Sequence, residues 1–293
     1  MDSEASAGSK TAVFNGDFNF FNWPEEEFEA LNRGVMRYVA TAGNVEVESV
    51  DPDSDGSCGC AYPSYVPDAV VDRSNAIVGR LRQTAQAADP DIQAWLAALP
   101  RFQSFRIENQ RVTVIHGDPE SLAGWKFSVE AMEPVDNDLR SHFGCASDLG
   151  SSTTSASQVA DFFHGAATDV FACTHTCLPF AQVFPGAAGF TLGGDGVVVN
   201  NGSAGMPNFR GSSHGLITRI ASASLGVPED SAYGITVGDL RIDAIPVHYD
   251  HEAWVARFLR NWPQGSPAHE SYFTRIASGV SFFHVHQADR LKA

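Results

Sequence analysis

Four short polar motifs in this chain each end an apolar run, and together they hold residue types that bind metal ions. They are Gly16-Asp17, Gly43-Asn44-Val45-Glu46, His116-Gly117-Asp118 and Thr174-His175-Thr176-Cys177. Strand ends that point one way are where α/β folds build their sites. An Asp, an Asn and two His delivered from such ends form a hard-to-borderline oxygen and nitrogen set suited to Mn²⁺, Fe or Zn²⁺. Each motif alone also has a plain reading: Gly-Asp is a common turn, Gly43-Asn44 reads equally as a helix stop, and a single His after a strand is commonly an ordinary hydrogen-bonded residue. Order and shared context set the four apart.

The elements that must carry them are legible as alternating patterns. Thr11–Phe14 is a short buried strand stopping at Asn15-Gly16-Asp17. Pro24 opens a helix with three acids in its first turn, matched to the helix dipole, with Phe28, Leu31, Val35, Met36 and Val39 as its apolar face. Glu46–Pro67 is rich in Asp, Ser, Gly and Pro and reads as a long loop. Helices follow over about Ala69–Ala87 and from Asp89-Pro90. Phe102–Ile107 and Arg111–His116 then form a hairpin turning at Asn109. Beyond Ser151–Ser155 come a helix near Gln158–His164 and strand runs at Asp169–Ala172, Val197–Asn200, Leu216–Ala221 and Leu240–Val247. Helices at His251–Asn261 and His269–Ala277 complete the pattern. No internal repeat is visible.

This order resembles the calcineurin-like metallophosphoesterases, whose motifs run Asp-x-His, Gly-Asp, Gly-Asn-(His or Cys)-(Asp or Glu), a His near a Gly, then Gly-His-x-His. Phe14-Asn15-Gly16-Asp17, Gly43-Asn44-Val45-Glu46, Val114-Ile115-His116-Gly117-Asp118 and the run from Asp169 to Pro179 are similar to the second to fifth motifs. Val199-Asn200-Asn201-Gly202-Ser203-Ala204-Gly205-Met206-Pro207 is similar to a turn of the small bacterial branch.

The resemblance implies a four-layer α/β/β/α sandwich of two mixed β-sheets flanked by helices. It implies divalent metal, Mn, Fe or Zn, as one or two ions. Asp17 would be the bridging carboxylate, Asn44, His116 and His175 the other ligands of one ion, and Cys177 a thiolate ligand where the family has His. Asp17, His116 and His175 would be the catalytic set. The implied activity is hydrolysis of a small phosphomonoester or phosphodiester by a metal-bound hydroxide, with a nucleotide among the candidate substrates. No Asp-x-His precedes Gly16-Asp17, so the first strand of the fold is expected to be missing and the ligands of the other ion depleted. Val45 stands where some branches place a proton-donating His. The alternative is a truncated or degenerate, non-catalytic binding module.

Several residues keep two readings at this point. Cys177 is either a ligand or a small inert thiol beside the site. Cys58-Gly59-Cys60 is a plain loop or a metal or redox pair, and with Cys173 and Cys177 it would make a thiol-based sensor. His248-Tyr249-Asp250-His251 invites a metal reading, against which Asp250 reads as the cap of the next helix. His284 and His286 form a spare surface metal site or nothing.

Composition narrows the partners. The chain has 293 residues, 43% hydrophobic and 18% charged, and a net charge of −16. That balance argues against nucleic acid and anionic membranes, which recruit clustered Lys and Arg. Five cysteines without small-scaffold spacing argue against a secreted disulfide framework. Met1–Ser9 lacks the pattern of a signal peptide, and no run of about eighteen apolar residues marks a membrane span. The expectation is a cytoplasmic protein with one domain over 11–280, a disordered tail at 1–10 and a second tail at 281–293. An exposed strand edge would favour homo-oligomers.

Overall fold

The computed structural model describes residues 10–147 and 152–290. The tail expected at 1–10 therefore lies, apart from Lys10, outside the described residues.

Three ladders make up the β structure. Strands β1 (Val13–Asn15) and β2 (Val39–Thr41) pair in parallel, Phe14 opposite Ala40. A six-stranded mixed sheet contains β3 (Phe102–Ile107), β4 (Gln110–Ile115), β5 (Val170–Cys173), β6 (Phe180–Phe184), β7 (Gly196–Asn200) and the short β11 (Asp289–Arg290), in the order β11-β6-β7-β5-β4-β3. An antiparallel sheet runs β8-β10-β9, built from β8 (Gly215–Ser222), β9 (Tyr233–Val237) and β10 (Leu240–Val247). The central strands of the mixed sheet are near-continuous apolar runs because both faces are covered; Val197, Val198 and Val199 are all buried. At the edge, β3 leaves Phe102 largely exposed.

The two larger sheets share one core. Val112, Phe171 and Val198 of the mixed sheet belong to the same apolar cluster as Leu216, Ile242 and Ala244 of the antiparallel sheet.

The helices are α1 (Glu25–Val35), α2 (Asn44–Val50), α3 (Asp68–Ala87), α4 (Pro90–Ala97), α5 (Asn137–His142), α6 (Ala156–Ala166), α7 (His251–Asn261), α8 (Pro267–Ser278) and α9 (Val285–Ala288). Helix α6 adds Val159 and Phe163 to the shared core. A second cluster joins Ile77 and Leu81 of α3 to Phe258 of α7 and Ile276 of α8, and a third joins Phe28 of α1 to Ile92 and Leu96 of α4. The architecture is thus the expected mixed α/β one, with β-sheets packed together and helices against them.

The β1–β2 pair is joined to the mixed sheet by a side chain. Asn15 Nδ2 donates to the carbonyls of Ile115, 2.6 Å away, and Ala172, 3.4 Å away, at the ends of β4 and β5. Its Oδ1 accepts from Thr41 Oγ1 of β2 at 2.8 Å. One amide therefore fastens the strand end that carries Asp17 to the strand ends that carry His116 and His175.

Several local expectations are corrected. Residues 46–50, read as the start of a loop, belong to α2. Val39 lies in β2 rather than on the first helix, Met36 is exposed, and Asn32 takes a buried place on that face. Strands β6 and β9 fall in stretches without a strand signal in the sequence. The segment read as a tail from 281 is built into the fold as far as Arg290: Phe283 and Ala288 are fully buried, and β11 pairs in parallel with β6. No helix among the described residues is long and apolar enough to cross a membrane.

Candidate metal centre

The turn after β1 places Asp17. Gly16 (φ 75°) and Asp17 (φ 55°) both adopt the left-handed region. For a non-glycine residue this costs on the order of 1–3 kcal/mol unless the surroundings enforce it. Here they do: Asp17 N–H donates to Glu46 Oε2 at 2.6 Å, and Asp17 Oδ1 accepts from Val45 N–H at 3.1 Å. The turn also needs glycine by close approach. A Cβ on Gly16 would sit 2.3 Å from Gly43 N, and one on Gly43 would sit 2.3 Å from Asp17 Oδ1 and 2.8 Å from His116 Cε1.

Helix α2 places Asn44. Gly43 is its N-cap, and the carboxylate of Glu46 reaches back to accept Gly43 N–H at 3.0 Å, the reciprocal half of a capping box. Asn44 Nδ2 donates to Cys58 O at 2.7 Å, which leaves Oδ1 for the centre.

His116 follows β4 and His175 follows β5. Both Thr174 N–H and His175 N–H donate to His116 O, at 3.1 and 2.9 Å, so the two loops are registered by backbone bonds. The ring of His116 donates from Nδ1 to Asn15 O at 2.8 Å. That bond fixes the tautomer in the neutral ring and leaves the Nε2 lone pair facing inward.

Around His116 Nε2 the four motifs meet. Asp17 Oδ2 lies 3.2 Å away, Asn44 Oδ1 3.2 Å and His175 Nδ1 3.1 Å. Asp17, His116 and His175 each offer a ligand atom, all within 4.8 Å of one another. The His116 side chain is fully buried, whereas that of Asp17 keeps 23% exposure.

The electrostatics follow from this crowding. Burial opposes the charged form of Asp17, but His116, His175 and the Val45 N–H outweigh it and hold its pKa below the ordinary value. Burial likewise works against protonating His116, yet the Asp17 carboxylate, the Asn15 carbonyl and Glu46 raise its pKa. Burial and then the neighbouring His116 depress His175 to about 3. Glu46 is pushed up to about 7, first by burial and then by the Asp17 charge, against the N–H bonds of Asp17 and Gly43.

The donor set fits a divalent cation. Three acceptor atoms converge on one ring nitrogen, and a single proton on Nε2 cannot serve all three well. A cation among them would engage a carboxylate oxygen, an amide oxygen and two imidazole nitrogens, a mixed oxygen and nitrogen set of the kind that holds divalent metals.

Asp17, Asn44, His116 and His175 are therefore brought together. Cys177 is not within that cluster. It occupies a left-handed turn (φ 59°) next to it, its thiol raised above the usual range by burial. Asp118 of the His-Gly-Asp motif does not face the centre; its carboxylate orders the following loop by accepting the N–H groups of Glu120, Ser121 and Lys126. Asp250 caps α7, accepting from Ala253 N–H at 3.0 Å, and His251 bonds Ile276 O, so the capping reading holds there. His284 and His286 stack on each other at 5.6 Å, apart from the donor cluster.

Three contributors are not evident from the motifs. Asn15 looks like a turn residue and instead fastens β1 and orients His116. Glu46 lies inside a motif but acts on the backbone. Arg275 of α8 clamps the outer loops, donating to Cys177 O at 2.8 Å, Asn208 Oδ1 at 2.9 Å and Pro207 O at 3.0 Å. The 200–208 turn in addition braces the His175 loop, through Thr174 Oγ1 to Gly202 O and Asn200 Nδ2 to Thr176 Oγ1. A cleft of about 300 Å³ reaches the edge of the centre at Asn44, lined also by Glu48, Gly59, Arg101 and Glu120.

No protein-family model matches the sequence, and no curated protein matches it either. Solved structures do match. A hypothetical protein of Pyrococcus horikoshii OT3 superposes with a TM-score of 0.52 at 14% identity, covering 92% of this chain and 84% of that one. A metallophosphoesterase of Sphaerobacter thermophilus superposes with a TM-score of 0.50 at 16% identity, covering 94% of this chain and 90% of that one. At such identities the likeness is one of fold: the chain has the mixed α/β architecture seen in a metallophosphoesterase.

Proposed function

We propose that this chain is a metal-dependent phosphoesterase acting on a small phosphomonoester or phosphodiester. The carrying observation is the convergence of Asp17 Oδ2, Asn44 Oδ1 and His175 Nδ1 on His116 Nε2. A fold like that of the Sphaerobacter metallophosphoesterase supports the reading. Asp17, Asn44, His116 and His175 would hold the ion. A divalent ion there supplies positive charge against phosphoryl oxygens and makes water acidic enough to attack near neutral pH.

The chain's own residues prepare that chemistry. Asn15 holds His116 with Nε2 inward. Glu46 holds the Asp17 backbone N–H, and the Val45 N–H fixes the Asp17 carboxylate. Cys58 O turns the Asn44 amide so that oxygen faces the donors. Burial keeps His175 neutral. Substrate would enter where Asp17 is exposed and where the cleft meets Asn44, with Arg101 as a basic side chain along that wall.

A second reading, a binding module without turnover, draws on the depth of the donors: His116 is fully buried and Asn44 is 3% exposed. One experiment separates the two. Purified protein is analysed for metal and assayed with phenyl phosphate and bis(4-nitrophenyl) phosphate in Mn²⁺, Zn²⁺ or Fe²⁺. Metal-dependent hydrolysis lost in Asp17→Asn and His116→Ala is the expected result. Stoichiometric metal without hydrolysis of either ester would favour the binding module.

A further inference from the structure

Behind Asn44, away from His116, sits a pair of thiols. Asn44 Nδ2 donates to Cys58 O at 2.7 Å and lies 3.4 Å from Cys60 Sγ, so both anchors of this amide belong to the Cys58-Gly59-Cys60 turn. These anchors decide which end of the amide reaches His116 Nε2. The turn is tight: Gly59 has φ +69° and Cys60 Sγ approaches Cys58 O at 3.9 Å. Both cysteines are free thiols. Cys58 is buried, its N–H held by Asn75 Oδ1 at 2.9 Å, while Cys60 is partly exposed.

We propose that Cys58 and Cys60 form a reversible dithiol–disulfide site that controls metal binding through Asn44. The control rests on Asn44 being a ligand, as argued above; disulfide formation itself does not. With a hydroperoxide as oxidant, one of the two sulfurs attacks one peroxide oxygen and the O–O bond breaks. With hydrogen peroxide this yields a sulfenic acid and one water. The other sulfur then attacks the sulfenic sulfur and expels the hydroxyl, which leaves with the second thiol's proton as a second water. Two thiols and one hydrogen peroxide thus give one disulfide and two waters, and a dithiol reductant reverses the change.

Closing that bond draws Cys60 Sγ to the Cys58 sulfur and reshapes the turn, so that the Cys60 Sγ contact and the Cys58 carbonyl, the two partners of Asn44 Nδ2, both shift. Both anchors of the ligand change in one step. Loss of the partners that orient a metal ligand typically weakens metal binding by about 10–100-fold.

The test uses the full chain, reduced and then exposed to stoichiometric hydrogen peroxide. Disulfides are mapped by peptide mass spectrometry, and Mn²⁺, an ion with little taste for thiols, is titrated calorimetrically. The expected result is a Cys58–Cys60 disulfide and a rise of about tenfold or more in the Mn²⁺ Kd, reversed by dithiothreitol. Cys60→Ser keeps an acceptor for Asn44 Nδ2 but cannot form the bond; it should bind Mn²⁺ within a few-fold of the reduced protein and ignore peroxide. Oxidation of Cys177 or Cys145 with no Cys58–Cys60 bond overturns the proposal. So does a Cys58–Cys60 disulfide with unchanged Mn²⁺ affinity, or a peroxide effect that persists in Cys60→Ser. Reduced wild-type protein that binds no Mn²⁺ overturns the donor-set reading itself, which distinguishes that failure from loss of the thiol response alone.

Discussion

Glu46 Oε2 accepts the backbone N–H of Asp17 at 2.6 Å and that of Gly43 at 3.0 Å, so one buried carboxylate holds both the turn carrying Asp17 and the start of the helix carrying Asn44. Two candidate ligands from separate motifs depend on a side chain that faces neither substrate nor the donor cluster.

Replacing Glu46 with Ala should leave both N–H groups buried without a partner. An unsatisfied buried donor costs about 1–3 kcal/mol, so Glu46→Ala is expected to lose about 3 kcal/mol in chemical denaturation. Glu46→Gln, which keeps one acceptor oxygen, should lose distinctly less. Equal stability of Glu46→Ala and wild type would show that the turn holds itself.

Gly43→Ala tests the close approach of the two loops. The added methyl would sit 2.3 Å from Asp17 Oδ1 and 2.8 Å from His116 Cε1, both of which are held by their own bonds. Overpacking of this kind costs about 1–3 kcal/mol. The expected outcome is a lower melting temperature together with metal affinity reduced by at least about tenfold. Wild-type affinity by calorimetry would mean that the donors do not meet as described.

Metal binding should release protons near neutral pH, from His116 directly and from Glu46, which sits near 7 partly through the Asp17 charge that a cation would offset. The pKa of His116 is raised in the metal-free protein, so near neutral pH a proton competes for Nε2, whereas His175, depressed to about 3, stays neutral and does not compete. Affinity should therefore climb with pH through the ordinary histidine range and above. Calorimetry in buffers of different ionisation enthalpy counts the protons; binding with no proton release near neutral pH would contradict the assignment. For the metal-free fold the signs oppose each other. The raised pKa of His116 gives stability that is present below about 6.5 and lost as pH rises through its folded value. His175, which resists charging, costs stability as pH falls from about 6.5 toward 3. Urea midpoints across pH for wild type and His175→Asn should show the acid loss reduced in the variant.

The donors were readable because each one ends an apolar run in a short polar motif, and a strand end is where chain direction changes and side chains converge. The supporting residues were hidden because their roles exist only in three dimensions. Asn15 ends a short strand in a sequence that looks like a turn, and Arg275 lies on an ordinary amphipathic helix, almost a hundred residues from the Cys177 carbonyl it holds. Helix α2 was concealed by its valines and its brevity: Asn44-Val45-Glu46-Val47-Glu48-Ser49-Val50 alternates like a strand, and the reciprocal bond from Glu46 to Gly43 decides for helix. Strand β6 was masked by Gln182, which is buried with its amide donating to Glu133 O. Strand β9 was masked by Gly234, and β11 is two residues long, below the reach of any pattern.

The most direct test of the central claim is the number of ions that this donor set holds. Among the described residues one cluster of metal-ligating side chains is present, Asp17, His116 and His175, with Asn44 Oδ1 beside it. Protein stripped with chelator and titrated with Mn²⁺ or Zn²⁺, with bound metal counted by mass spectrometry, should take one tightly held ion per chain and lose it in His175→Ala. Two tightly bound ions per chain, or one ion that survives His175→Ala unchanged, would contradict it.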